Sequence, residues 1–226
     1  MKDQSLRAIN TNLSYFTLRK LIGWLGLLLP WAVWAIAGSN ENSISDYYYT
    51  VSGVLFTSVL TLVGAFLISY RGYDKADETL SDNVLTWIGG ILILIVAAIP
   101  TPYDGGAGGC PTPICLVNDA WGWVHFGAAV LFFVTMGHMS AFHFTKGNKP
   151  FTAQKLKRNQ IYRFCGYGMW VVLLITGILW ILEDRIPIPR LIFWSEVILL
   201  VLFGTCWLVK GKGLVDLNIQ HEEGEG

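Results

Sequence analysis

Residues 191–210 read LIFWSEVILLVLFGTCWLVK: from Leu191 to Val209 the run carries a single charged side chain, Glu196, and it closes on Lys210. A helix needs about 17–25 residues, at about 1.5 Å each, to cross a hydrocarbon core about 30 Å thick. This stretch is long enough to span a bilayer. Five more stretches of the same character precede it, at about 21–38, 51–70, 84–99, 120–144 and 164–182, the third a little short. The basic residues orient them. Of 16 Lys and Arg, all but Arg185 and Arg190 fall in the N-terminal tail, the second and fourth connections and the C-terminal tail. Cytoplasmic loops carry the excess of Lys and Arg. The pattern therefore predicts an all-α, polytopic membrane protein: a six-transmembrane-helix bundle with both termini in the cytoplasm.

A chain of 226 residues with 53% hydrophobic content leaves no room for a separate soluble domain, so residues 1–226 form one membrane unit. Net charge is zero. No overall field draws in nucleic acid, and membrane lipids are the expected partners. Lys155, Lys157, Arg158 and Arg163 are expected to form a lipid-facing basic loop in the fourth connection. The expected location is a cell membrane, as a multi-pass protein of the bacterial inner membrane. Read as a signal peptide, the first stretch would have Arg19 and Lys20 as its charged region and Ala35–Ala37 as its cleavage site. Trp24, Pro30, Trp31 and Trp34 suit a signal core poorly, and a retained span is the better reading.

Tryptophan prefers the headgroup level, and its placement follows the spans. Trp24, Trp87 and Trp207 mark inner ends; Trp34, Trp121, Trp123, Trp180 and Trp194 mark outer ends. Cys110 and Cys115 lie in the outward-facing third connection, where oxidation is permitted, and are expected to form a structural disulfide. Cys165 and Cys206 read as small apolar residues. Gly89, Gly90, Gly127, Ala128, Ala129, Gly166, Gly168 and Gly177 would let helices approach closely.

Polar groups inside the apolar spans are the candidates for function, because an ionisable side chain there is costly unless it is paired or faces a cavity. Glu196 lies about 9 Å along its helix from Arg190, and His125 about 9 Å from Asp119, at 1.5 Å per residue. Both helices run inward from the outer face, so the two groups fall at similar depth. The candidate ligand-binding set is Asp46, Tyr47, Tyr48, Tyr49, His125, Ser195 and Glu196, converging in the outer half of the bundle. A single buried hydrogen-bonded pair locking two helices would account for the same residues. His125 and His143 lie roughly 27 Å apart on one helix face, and His138 is turned roughly 140° from His143. Those spacings build no metal site. His143 is expected at the interface beside Lys146, His138 toward the bundle, and His221 in solvent. No HExxH, Gly-rich phosphate loop or nucleophile elbow occurs, and the sequence leaves any cofactor unknown. Tyr70-Arg71-Gly72-Tyr73-Asp74 is expected to close the inner end with an Arg–Asp pair.

Ser43-Ile44-Ser45-Asp46, just outside the second span, resembles the S-I-S-[D/E] signature of the Frag/DRAM/Sfk six-helix membrane proteins and their bacterial relatives of unknown function. Tyr47-Tyr48-Tyr49-Thr50, Tyr70-Arg71-Gly72-Tyr73-Asp74 and the His125-Phe126 opening of the fourth span are similar to a bacterial subset of those chains. After Asp46 the sequence departs from the pattern, which often continues with a Gly or Pro turn and an Arg. Eukaryotic members are linked to lipid remodelling and membrane trafficking. The resemblance implies a topology and lipid handling, and assigns no catalytic residue.

Three functions compete. The first is binding or processing of a lipid-like molecule at the outer leaflet; as a hydrolase it would use Glu196 or His125 as base, and a metal would need Asp46 as third ligand. The second is a small-solute or ion transporter or channel, with a polar path from Glu196 past Thr205 and His138, or a homo-oligomer with a central pore. The third is a non-catalytic scaffold with a closed, cavity-free bundle.

Overall fold

The computed structural model describes residues 2–72, 80–103, 112, 115, 119–147 and 150–212, with side chains from Phe16 onward except that of Asp119. Six helices account for most of them: α1 (Lys2–Ala37), α2 (Gly53–Ser69), α3 (Asp82–Ala98), α4 (Asp119–His138), α5 (Ala153–Ile181) and α6 (Leu191–Lys210). Among the described residues there is no strand. Four segments are long and apolar enough to cross a membrane: Phe16–Ala37, Ala120–His143, Ala153–Ile181 and Leu191–Lys210. Helices α2 and α3 are equally apolar in character but have only 17 residues each.

Caps explain where the helices outrun the apolar stretches. The Ser81 hydroxyl accepts a bond from the backbone N–H of Val84 (3.3 Å), starting α3 at Asp82 and drawing that carboxylate into the bundle. The Thr152 hydroxyl accepts from Lys155 N (3.2 Å) and starts α5 at Ala153. The basic cluster is therefore helical and no loop: Lys155, Lys157, Arg158 and Arg163 occupy the first turns of α5, with Arg158 buried.

Each helix packs on its neighbours in the chain and α6 returns to α1, giving a closed ring in chain order. Phe132, Met136, Met169, Phe203 and Trp207 fill its middle. Three neighbouring pairs touch backbone to backbone. A Cβ added at Gly204 would lie 2.7 Å from the carbonyl oxygen of Gly23, one at Gly166 2.6 Å from that of Gly137, and one at Gly90 2.9 Å from that of Gly64. Small residues at such crossings let helices meet where side chains would hold them apart. Gly127 and Gly177, also expected at crossings, face open space.

Helix α4 does not end cleanly. It runs into one wide turn, Met139–His143, in which the Phe144 N–H reaches the carbonyl of Met139 (3.0 Å). Residues five apart then stand over one another. His138 and His143, about 140° apart on a regular helix, have ring centroids 5.5 Å apart here. His143 is buried rather than interfacial, bonded through Nδ1 to Asp82 Oδ1 (2.7 Å). His138 lies against Trp170 and Phe142 on the rim of the bundle.

Most of the expected tryptophan anchors are about half exposed, among them Trp24, Trp34, Trp87, Trp121, Trp180 and Trp194. Trp207 is the exception. It is 1% exposed and packs edge-on against Tyr70 and Phe144. Cys110 lies outside the described residues, so the expected pairing with Cys115 does too, as does the Arg–Asp pair expected of Asp74. Cys165 and Cys206 are buried free thiols.

Candidate functional site

At one end of the ring the connection between α1 and α2 folds down over the start of α6. Phe193 N donates to Asn42 O (2.9 Å), Arg190 Nε to Glu41 O (2.8 Å), and the Arg190 guanidinium lies 3.9 Å from the centroid of the Phe193 ring. Arg190 itself adopts a left-handed backbone (φ 56°), an arrangement that a non-glycine residue keeps only when its surroundings hold it there. These ties bring Ser43–Asp46 against the first turns of α6 and α4. Glu196 accepts from the backbone N–H of Ile44, and the hydroxyls of Ser43 and Ser45 face the same carboxylate. A half-buried carboxylate without such donors would be costly.

From α4, His125 reaches the same turn. Its Nδ1 bonds the carbonyl of Ile99 at the end of α3, and its Nε2 stands 3.0 Å from Ser45 Oγ. A carbonyl can only accept, so the Ile99 contact fixes the proton of the neutral ring on Nδ1 and leaves Nε2 to accept from the Ser45 hydroxyl. His125 and Glu196 thus both face Ser45, whose single hydroxyl proton can go to only one of them at a time.

These groups form the floor of a cavity of about 430 Å³. Its polar lining is Ser43, Ser45, Thr101, His125 and Glu196; its apolar walls include Trp123 and Phe126 of α4, Trp180 of α5 and Ile192 of α6. Trp123 and Trp180 meet edge-on across the α4–α5 gap (centroids 6.2 Å). The buried residues of α5 end at Met169; beyond it Leu174 and Ile181 are 64% and 75% exposed, while Thr176 still ties this half of the helix to Ser195 of α6 (2.7 Å).

Of the residues expected to converge, His125 and Glu196 do. The others belong to the frame around the cavity. Asp46 accepts from Thr101 Oγ1 (2.9 Å). Tyr47 is fully buried against Phe193, its hydroxyl donating to Ser39 O (2.9 Å). Tyr49 donates to Thr101 O, and Tyr48 packs edge-on against it. Ser195 points at α5, bonded to Thr176 Oγ1 (2.7 Å) and Leu191 O (2.8 Å). The cause is the tight turn over Ser45–Tyr49, which carries the phenols away from the cavity floor. Ser43, Ser45 and Thr101, which sequence reasoning misses, supply the hydroxyls instead. Among the described residues no three His, Cys, Asp or Glu side chains gather closely enough to hold a metal ion, and Asp46 is not placed to be a third ligand.

No family model matches the chain, and no curated protein or solved structure is significantly similar to it.

Proposed function

We propose that this chain is a six-span integral membrane protein of a cell membrane, of the bacterial inner-membrane type, with both termini cytoplasmic, and that its outer-half cavity binds a lipid-like molecule. The carrying observation is the cavity: about 430 Å³, lined on one side by Ser43, Ser45, Thr101, His125 and Glu196 and on the other by Trp123, Phe126 and Trp180 of α4 and α5 and Ile192 of α6. Ligand sites run from about 300 to 1,000 Å³ and combine apolar walls with a few convergent polar groups. A lipid offers the matching pattern, a polar head against Glu196, Ser43 and Ser45 and a chain along Trp123, Phe126 and Trp180. The likeness of Ser43–Asp46 to the Frag/DRAM/Sfk signature supports the same reading. Below Glu196 only about 40 Å³ of space continues, walled by residues such as Leu29, Phe56, Phe132 and Phe133, which weighs against a through-going path. A cavity of this size also weighs against the closed scaffold.

One observation favours a second reading on the same site, hydrolysis of an acyl ester. Ser45 and His125 stand as hydroxyl and base at 3.0 Å, with the imidazole oriented by Ile99 O.

The test uses full-length protein in a mild detergent, with co-purifying lipid identified by mass spectrometry. Glu196→Gln keeps an acceptor for Ile44 N, so the protein is expected to fold and to melt in a single transition, while retention of the lipid falls several-fold. Wild-type protein that enriches no lipid over its detergent background, or a variant that retains it equally, sinks the binding reading. For hydrolysis, Ser45→Ala must abolish release of a fluorogenic acyl ester while still retaining lipid.

A further inference from the structure

At the opposite end of the ring a second cavity, of about 360 Å³, lies where α1, α5 and α6 meet. Five cations line it: Arg19, Lys155, Arg158, Lys210 and Lys212. No acidic residue does, among the described residues. Charges of one sign gathered in a partly enclosed space repel one another strongly unless an anion joins them.

Aromatic rings, a backbone carbonyl and a phenol hydroxyl position four of these cations. Lys210 Nζ stands 4.7 Å from the Phe144 ring centroid and Lys212 Nζ 4.7 Å from that of Phe16. Lys155 Nζ donates to Phe144 O (3.0 Å) and lies 5.8 Å from the Tyr162 ring centroid. Arg19 gives one terminal nitrogen to the Tyr70 hydroxyl (3.0 Å), and its buried Nε has no partner among the described residues. Ring faces hold an ammonium in place without cancelling its charge. The nearby Asp82 is outside the lining, with one oxygen committed to His143. Arg19, Lys155, Lys210 and Lys212 are thus oriented in advance around a space of ligand size.

We propose that this cavity is a binding site for a phosphate-bearing anion, held by Arg19, Lys155, Arg158, Lys210 and Lys212 with Tyr162 as its apolar wall. Guanidinium and ammonium groups are the residue types that pair with phosphate oxygens by short, charge-assisted bonds. Two sources share that chemistry, the headgroup of an anionic phospholipid and a small soluble phosphate. The site is independent of whatever fills the outer cavity.

Melting of the full chain tests it with defined probes: inorganic phosphate against chloride at matched ionic strength, and nanodiscs of phosphatidylglycerol against phosphatidylcholine. The wild type is expected to show a saturable rise in Tm of several degrees with at least one phosphate probe. Lys210→Met, and separately Lys155→Met with Lys212→Met, should weaken that response about tenfold or more. Lys157→Met with Arg163→Met removes the same charge from exposed positions of α5 and should leave it intact. Stabilisation by phosphatidylglycerol alone identifies a lipid headgroup; stabilisation by inorganic phosphate as well identifies a soluble phosphate. The proposal fails if neither probe raises Tm, or if the exposed pair of substitutions costs as much as the pair in the cavity. Should Lys210→Met not fold, the double variant at Lys155 and Lys212 decides.

Discussion

Asp82 enters the bundle because Ser81, one residue earlier, caps α3 and sets the helix start there. The carboxylate then meets His143 at 2.7 Å, with both side chains 5% exposed. Burial raises the stake of such a contact, since a donor or acceptor stranded without its partner keeps the full desolvation cost. Asp82→Ala is therefore expected to lower stability by roughly 2–4 kcal/mol, read from melting in detergent. Lys157→Ala, on the exposed side of α5, should stay within about 0.5 kcal/mol. Equal losses for the two would show that the pair carries no special weight. Neither partner is legible in the sequence as half of a pair. Asp82 stands just before an apolar stretch, where a charge is ordinary. A rotation of about 100° per residue misplaces His143, because the wide turn Met139–His143 does not obey it. By contrast, Glu196 and His125 are legible from residue type and depth alone, because an ionisable group inside an apolar span has to be explained.

At the level of elements, the ring depends on how closely paired helices approach. Backbone atoms are the obstacle at Gly166 and Gly204, where an added Cβ would come within 2.8 Å of Ala141 N and 2.7 Å of Gly23 O. Backbone cannot move aside as a side-chain tip can, so Gly166→Ala and Gly204→Ala should each cost about 1–3 kcal/mol by overpacking. Gly177→Ala, with nothing within 4 Å, should be neutral or slightly stabilising. Thermal melting of the three variants checks the contrast, and a Gly204→Ala protein as stable as Gly177→Ala would remove the close α1–α6 contact. Residue size alone marks Gly90 and Gly166 correctly as crossing points and Gly127 and Gly177 wrongly. Composition reports that a residue is small, and only the rotation of its helix reports which way it faces. The same limit explains the loop Ser39–Thr50. Its hydroxyls and phenols follow no period, so nothing in the spacing tells that Ser43 and Ser45 point into the cavity while Tyr47, Tyr48 and Tyr49 point away.

Over the whole molecule, the proposed topology turns on whether α2 and α3 span as the four segments long and apolar enough to do so would. Seventeen residues rise about 25 Å, a little less than the hydrocarbon core, so length alone would also allow a hairpin that turns back within the bilayer. The contacts at the α2–α3 turn bear on this. Tyr70, just past α2, receives a bond from Arg19 (3.0 Å) and packs on Trp207 (5.4 Å), near the ends of the α1 and α6 spans. Beside it, Gly72 N donates to Asn83 Oδ1 (2.7 Å). The turn thus reaches the depth at which α1 and α6 leave their apolar stretches, as a full crossing requires. In a background with Cys110 and Cys115 replaced by Ser, single cysteines at Glu41, Arg71, Arg185 and Lys212 can be probed with a membrane-impermeant maleimide; Cys165 and Cys206 are buried and should stay silent. Glu41→Cys and Arg185→Cys are expected to label in intact cells, and Arg71→Cys and Lys212→Cys only after permeabilisation. The decisive position is Arg71. A hairpin that turned back within the bilayer would leave the other three sites labelling as expected and bury only this one from the reagent on both sides. An Arg71→Cys that stays unlabelled even after permeabilisation, while Lys212→Cys labels, would therefore reduce the spans to four and still leave α4, α5 and α6, with the cavity between them, oriented as they are.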